Sequence, residues 1–170
     1  MKSLVACVFV LSVTLIARGQ EARWTRIDVK DGRCSIEFPG KPMDPGQLNK
    51  SKGQQLILEV LDGKGAYMLQ HNQFEKAVDV KDADLVKRIF DGGQNGLEKA
   101  LKGNISRADE GEFKGFPTRE IEMEVANLGI YRVKFVLTPN RFYQVTAAGP
   151  KEFTSGPDVE RFIKSFKIDD

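Results

Sequence analysis

The plainest candidates for nucleophilic or basic chemistry in this chain are Cys34, the only cysteine beyond residue 19, and His71, the only histidine. A zinc site takes three or four ligands, usually His and Cys at short spacing. One of each does not supply that set, so no metal site is expected. A Ser-His-Asp triad would have to run through His71. No serine stands in a G-x-S-x-G elbow, so a hydrolase reading rests on His71 alone and no catalytic residue is assigned. The phosphate-binding lysine loop, the dinucleotide glycine fingerprint, the C-x-x-C pair and the calcium loop are all missing, so no cofactor is expected. Gly92-Gly93-Gln94-Asn95-Gly96 is glycine-rich but lies inside a helical pattern, not between a strand and a helix.

Three carboxylates recur at alternate positions, Glu120, Glu122 and Glu124. Carboxylates on one strand face suit acid/base or metal work, but the stronger reading is cross-strand ion pairs. With the next turn centred on Leu128, Glu124 would oppose Arg132 and Glu122 would oppose Lys134, ordinary sheet stabilisers worth roughly 0.2–1 kcal/mol each. Arg119 falls on the other face, with Ile121, Met123 and Val125. A guanidinium entering an apolar layer needs a partner. It either reaches solvent over its own stem or makes a structural hydrogen bond. The functional alternative is an anion or carboxylate contact beside Tyr131 and Tyr143. These three, Arg119, Tyr131 and Tyr143, are the candidate binding residues.

The elements that must position these groups follow from periodicity and turn chemistry. Trp24 to Val29 and Cys34 to Phe38 alternate around Lys30-Asp31-Gly32-Arg33, a hairpin whose Asp-Gly supplies positive φ. Cys34 shares the apolar side with Ile36 and Phe38 and reads as a small hydrophobe. Pro39 to Gly53 reads as an exposed loop. Gln55–Leu61 and Ala66–Phe74 form a second hairpin. Asp82 to Lys102 has helical spacing, with Gly103 as its cap and Gly92, Gly93 and Gly96 as weak points that suit a kink or close packing on a sheet. Four strands follow at Ile105–Phe113, Pro117–Val125, Ile130–Thr138 and Arg141–Ala148. Ser155-Gly156-Pro157-Asp158 then opens a helix carrying the stripe Val159, Phe162, Ile163 and Phe166. Two hairpins, a helix, a four-strand meander and a closing helix predict an α+β fold, an antiparallel sheet flanked by helices.

Composition sets the compartment and excludes some partners. Leu4 to Ala17 runs without a charge after Lys2, and Ala17-Arg18-Gly19 places small residues where a signal peptidase reads. The run is shorter than the ~20 apolar residues of a spanning helix. Residues 1–19 are therefore expected to be a cleaved secretory signal, leaving 20–170 as a single extracytoplasmic domain, periplasmic or secreted, with no transmembrane segment. Cys7 resembles a lipidation cysteine, but the apolar core follows it instead of preceding it. Lys2 and Arg18 account for the formal charge of +2, so residues 20–170 carry 24 bases and 24 acids, without the basic excess a nucleic-acid binder needs. With one cysteine left, no intramolecular disulfide forms. Asn49-Lys50-Ser51 and Asn104-Ile105-Ser106 match the N-glycosylation pattern.

Ile36-Glu37-Phe38-Pro39-Gly40-Lys41-Pro42, the strand Arg141-Phe142-Tyr143-Gln144-Val145, Gly149-Pro150 and the closing Val159–Phe166 helix together resemble the PsbP-like fold family. That family includes the photosystem II extrinsic P protein, a nuclear-import factor that binds the Ran GTPase, and short secreted bacterial relatives. The resemblance implies an α/β/α sandwich and a non-catalytic, protein-binding habit. It transfers no functional residues, and metal binding by some members has little support in a chain with one histidine. The expected function is an exported module that binds another envelope or extracellular protein. The alternative is a carrier of a small apolar or lipid ligand between sheet and helix, with Phe74, Phe90, Phe113, Phe116, Tyr131, Phe135 and Tyr143 lining the pocket. The same aromatics otherwise simply fill the core.

Overall fold

The computed structural model describes residues 24–42, 54–60 and 65–169; the segment expected to be a signal, most of the Pro39–Gly53 loop with Asn49, and the turn after residue 60 lie outside them. Among the described residues nine strands and three helices follow in the order β1 (Thr25–Val29), β2 (Cys34–Phe38), β3 (Gln54–Val60), β4 (Gly65–Gln73), α1 (Ala83–Leu101), β5 (Asn104–Phe113), β6 (Phe116–Val125), β7 (Gly129–Leu137), β8 (Arg141–Gly149), α2 (Lys151–Thr154), α3 (Pro157–Ser165) and β9 (Lys167–Ile168). The fold is α+β and its sheets are antiparallel, as the periodicity requires. The six-stranded sheet has the order β3-β4-β8-β7-β6-β5, and β1-β2-β9 form a separate three-stranded sheet. The first hairpin therefore does not extend the main sheet. It packs across it, closed by β9, a two-residue strand too short to show a period.

Alternation along the central strands divides the apolar residues between two cores. Ile121, Met123 and Val125 of β6 and Val133, Phe135 and Leu137 of β7 meet Phe90 of α1 on one face. Tyr67 and Leu69 of β4, and Tyr143, Val145 and Ala147 of β8, face the other way. There they pack on Cys34, Ile36 and Phe38 of β2 and on Val159, Phe162 and Phe166 of the α3 segment. The stripe expected on α3 is thus its buried face. Gly156, not Ser155, is the cap of α3, and Pro157 is its first residue. Ser155 instead ends α2, a single turn that sequence spacing did not reveal.

Several turns differ from expectation for local reasons. The αL residue that ends α1 is Lys102 (φ 51°), and its N–H bonds back to Glu98 O. Gly103 is required for space instead, because a Cβ there would lie 2.5 Å from Met123 Sδ. Within α1, Gly93 lies against the Phe135 and Phe142 rings, whereas a Cβ at Gly92 or Gly96 would meet nothing within 4 Å. In the first hairpin Arg33 (φ 46°), not Gly32, takes the left-handed conformation. Between β6 and β7 the turn is Ala126-Asn127-Leu128, since Val125 pairs with Gly129 and Asn127 has φ 64°. The centre is one residue earlier than expected, which moves the pairing of the whole hairpin by two.

Candidate functional site

That shift decides what the three glutamates do. Glu120 opposes Lys134, Glu122 opposes Arg132, and Glu124 opposes Ile130; the Glu124–Arg132 and Glu122–Lys134 pairs expected from a turn centred on Leu128 do not form. Lys134 Nζ donates to Glu120 Oε1 at 3.0 Å. Arg132 is drawn away from the hairpin to α3, where its guanidinium lies 2.6 Å from Glu160 Oε1, and it also donates to Thr154 O at 3.1 Å. Arg132 thereby ties α2 and α3 to the sheet, and together with Lys164 it holds the Glu160 carboxyl below its usual range.

These charges border a shallow groove between the sheet and α3, with a volume of only about 20 Å³, lined by Arg107, Glu120, Glu122, Arg132 and Lys134 with Ile163 beside them. Arg107 also pairs with Asp109 on its own strand. Among the described residues Glu122 makes no ion pair, but it stands in register between Arg107 and Arg132 in a wall of mixed charge.

Arg119 is buried on the α1 face, where its guanidinium is engaged by neighbouring side chains. It donates to Asp91 Oδ1 of α1 at 2.8 Å, to Glu110 Oε1 of β5 at 2.7 Å and to Gln94 Oε1 at 3.3 Å. Its guanidinium carbon lies 5.4 Å from the centre of the Phe90 ring, within cation–π range. One fork thus joins a helix and an edge strand. Lys87 first, and Arg119 next, hold the Asp91 carboxyl below its ordinary value. Tyr131 packs in the same core, opposite Met123, whereas Arg119 stands opposite Phe135. Tyr143 lies on the other face of the sheet. The three candidate binding residues therefore do not converge on one point.

Tyr143 belongs to a buried group beneath the first hairpin. Its hydroxyl donates to Gly32 O at 2.8 Å. Cys34 Sγ and His71 Nε2 each lie 3.0 Å from the point a Cβ of Gly32 would occupy, so any side chain at that position would crowd both. Cys34 is fully buried, and burial chiefly pushes its thiol up to about 12. His71 is buried too, and among the described residues neither ring nitrogen has a hydrogen-bond partner. Burial first, and then Arg141, lower its pKa, with Asp31 opposing. A nucleophilic cysteine needs a stabilised thiolate. Here a protonated thiol and a neutral imidazole are packed side by side without a bond between them. Among the described residues no three His, Cys, Asp or Glu side chains converge as metal ligands.

The aromatics considered for a ligand pocket are divided between the two faces. Phe74, Phe90, Tyr131 and Phe135 belong to the α1 core; Phe113, Phe116 and Tyr143 belong to the opposite one. They pack ring on ring, as with Phe135 and Phe142 at 4.9 Å and Tyr143 and Phe166 at 5.3 Å. Asn104, an acceptor candidate, is exposed at the start of β5. No helix among the described residues is long and apolar enough to cross a membrane.

An antiparallel sheet with α1 on one face, and a small sheet and α3 on the other, is the PsbP-like fold. The solution structure of cyanobacterial PsbP (CyanoP) from Synechocystis sp. PCC 6803 superposes with a TM-score of 0.54 at 10% identity, covering 86% of this chain and 93% of that one. The Saccharomyces cerevisiae Ran-binding protein Mog1p gives 0.50 at 11% identity, covering 88% and 97%. A point mutant of Mog1 gives 0.51 at 11% identity, covering 87% and 97%. At such identities the likeness establishes the fold alone. No family model matches the chain, and no curated protein matches its sequence.

Proposed function

We propose that this chain is an exported, non-catalytic module that docks on another envelope or extracellular protein through the charged groove beside α3. The observation that carries this reading is the distribution of reactive and charged groups. The thiol, imidazole and phenol that could do chemistry are sealed beneath the first hairpin. The sheet wall beside α3 instead presents exposed Arg107 and half-buried Glu120, Glu122, Arg132 and Lys134 around a groove. Mixed, partly unpaired charge on a rigid strand surface suits orientation-specific recognition of a protein. The Ran-binding neighbour lends support, since one protein of this fold is a protein binder. Export rests on the Lys2, Leu4–Ala17 and Ala17-Arg18-Gly19 pattern.

The test is native mass spectrometry of the protein purified gently from its own host. The wild type is expected to carry a second protein, and an Arg107→Glu, Glu122→Lys variant with an unchanged circular dichroism spectrum is expected to lose it. A bound small molecule of a few hundred daltons, or a partner retained by the double variant, would contradict the proposal.

A further inference from the structure

The strand order leaves β5 at an edge of the six-stranded sheet, and none of the described residues pairs with its outer side. Its residues from Ser106 to Glu112 are all exposed. The direction of its backbone groups follows from the turn that ends it. Lys114 (φ 51°) and Gly115 (φ 83°) form a two-residue turn with both residues left-handed, flanked by the pair Phe113–Phe116. In such a hairpin the flanking pair exchanges both backbone hydrogen bonds, and bonded and non-bonded pairs then alternate. Phe113, Gly111 and Asp109 therefore turn their N–H and C=O toward β6. Ala108, Glu110 and Glu112 turn theirs to the open edge. Pro117, which has no N–H, stands opposite Glu112 in a non-bonded pair, in keeping with that alternation.

Natural sheets blunt such edges with bulges, proline or charge. The irregularity in β5 falls between Ile105 and Arg107, so 107–113 runs in regular register without a bulge or proline. Its guard is charge, and mostly of one sign: Asp109, Glu110 and Glu112. Arg107 offsets Asp109 and Arg119 offsets Glu110, while Glu112, like Glu124 on β6, has no ion pair among the described residues. Antiparallel self-pairing centred on Glu110 would set that residue against its own copy, and like charges directly opposite are destabilising. The same surplus favours a strand that brings lysine or arginine.

We infer that the β5 edge accepts an extended basic segment of the partner protein as a seventh strand, bonded to the backbone of Ala108, Glu110 and Glu112. This rests on the docking reading and specifies how the partner is held.

The experiment uses a short synthetic peptide alternating lysine and valine, with a glutamate-valine peptide as control, and reads amide hydrogen exchange in the purified protein. The lysine peptide is expected to slow exchange at Ala108, Glu110 and Glu112. Ala108→Pro, which removes an edge-facing donor where proline is tolerated, is expected to weaken binding about fivefold, the worth of one backbone hydrogen bond. Glu112→Lys, at an exposed position, should weaken the lysine peptide and admit the glutamate one. Protection that bypasses β5, or equal affinity in both variants, would overturn the inference. A native partner whose affinity is unchanged by Ala108→Pro but lost on charge reversal in the groove would refute strand addition and leave the docking reading standing. A partner indifferent to the groove would remove that reading instead.

Discussion

The two faces of the six-stranded sheet are closed in different ways. On one face a single helix, α1, covers β6 and β7, and the buried fork of Arg119 fastens it to β5. On the other, the β1-β2-β9 sheet and α3 cover β4 and β8 with a ring-rich core, and β5 to β7 are left to a wall of charges. The first face is closed over β6 and β7, and one polar clamp fixes the helix there. The second is shut over part of its width and open over the rest. Stability and recognition are therefore assigned to neighbouring strips of the same strands, and substitutions should separate them.

The largest loss is expected at Phe162, which is fully buried and lies 4.9 Å from the Tyr67 ring and 5.2 Å from that of Phe38. Phe162→Ala should cost about 3–5 kcal/mol in urea unfolding, the usual range for an aromatic core truncation. A loss below 1 kcal/mol would mean that α3 is not what seals this face. Next comes Gly32→Ala, whose Cβ would press to 2.8 Å from His71 Cδ2. It should cost about 1–3 kcal/mol by overpacking. Arg119→Ala should cost about 2 kcal/mol. It does not reach the penalty of a fully buried broken pair, because Asp91 and Glu110 are left 37% and 68% exposed and remain hydrated. Coupling between Arg119→Ala and Asp91→Ala in a double-mutant cycle would confirm that the clamp joins α1 to the sheet.

The pH response separates the faces in another way. His71 is packed with Tyr143 on β8, Cys34 on β2, and Arg141, Asp31 and Asp169 around them. Burial lowers its folded pKa below the ordinary 6.5, so the unfolded chain binds the extra proton first. The stability due to its neutral form is present above 6.5 and is lost as pH falls below that value toward the folded one. Carboxylates held low by pairing, such as Glu37 and Glu160, respond in the more acid range below their ordinary 4.5. Urea midpoints measured between pH 7.5 and 5.5 should therefore fall in the wild type and stay flat in His71→Phe. A flat wild-type profile would contradict the buried neutral imidazole. Smallest of all, the Glu120–Lys134 pair should couple by roughly 0.2–1 kcal/mol, while Glu122 and Lys134, a pair the register does not form, should not couple.

How much of this was legible in the sequence differs by feature. β2 and the apolar stripe of α3 announce themselves because each has a complete period in a few residues. β9 and α2 do not, since two and four residues hold no period and tertiary contacts define them. The Asp31-Gly32 turn was legible, but not the reason for its glycine. That reason is space for His71, which comes from β4. The slip at Asn127 shows how little a turn motif fixes: one residue in the left-handed conformation moved every cross-strand charge pair by two positions. Arg119 was conspicuous as a charge on an apolar face. Its partners were not, because Asp91 and Glu110 stand 28 and 9 residues away in sequence. The groove was invisible for the same reason. Its walls come from β5, β6, β7 and α3, and only the fold brings them together.

The most direct test of the division between closed and open strips is site-specific photocrosslinking in the native host. One probe replaces Glu122 in the groove, and a second replaces Arg88 on the exposed side of α1. Cross-links to a single partner protein from position 122, and none from 88, are the result this account predicts. Equal cross-linking from both positions, or none from position 122, would contradict it.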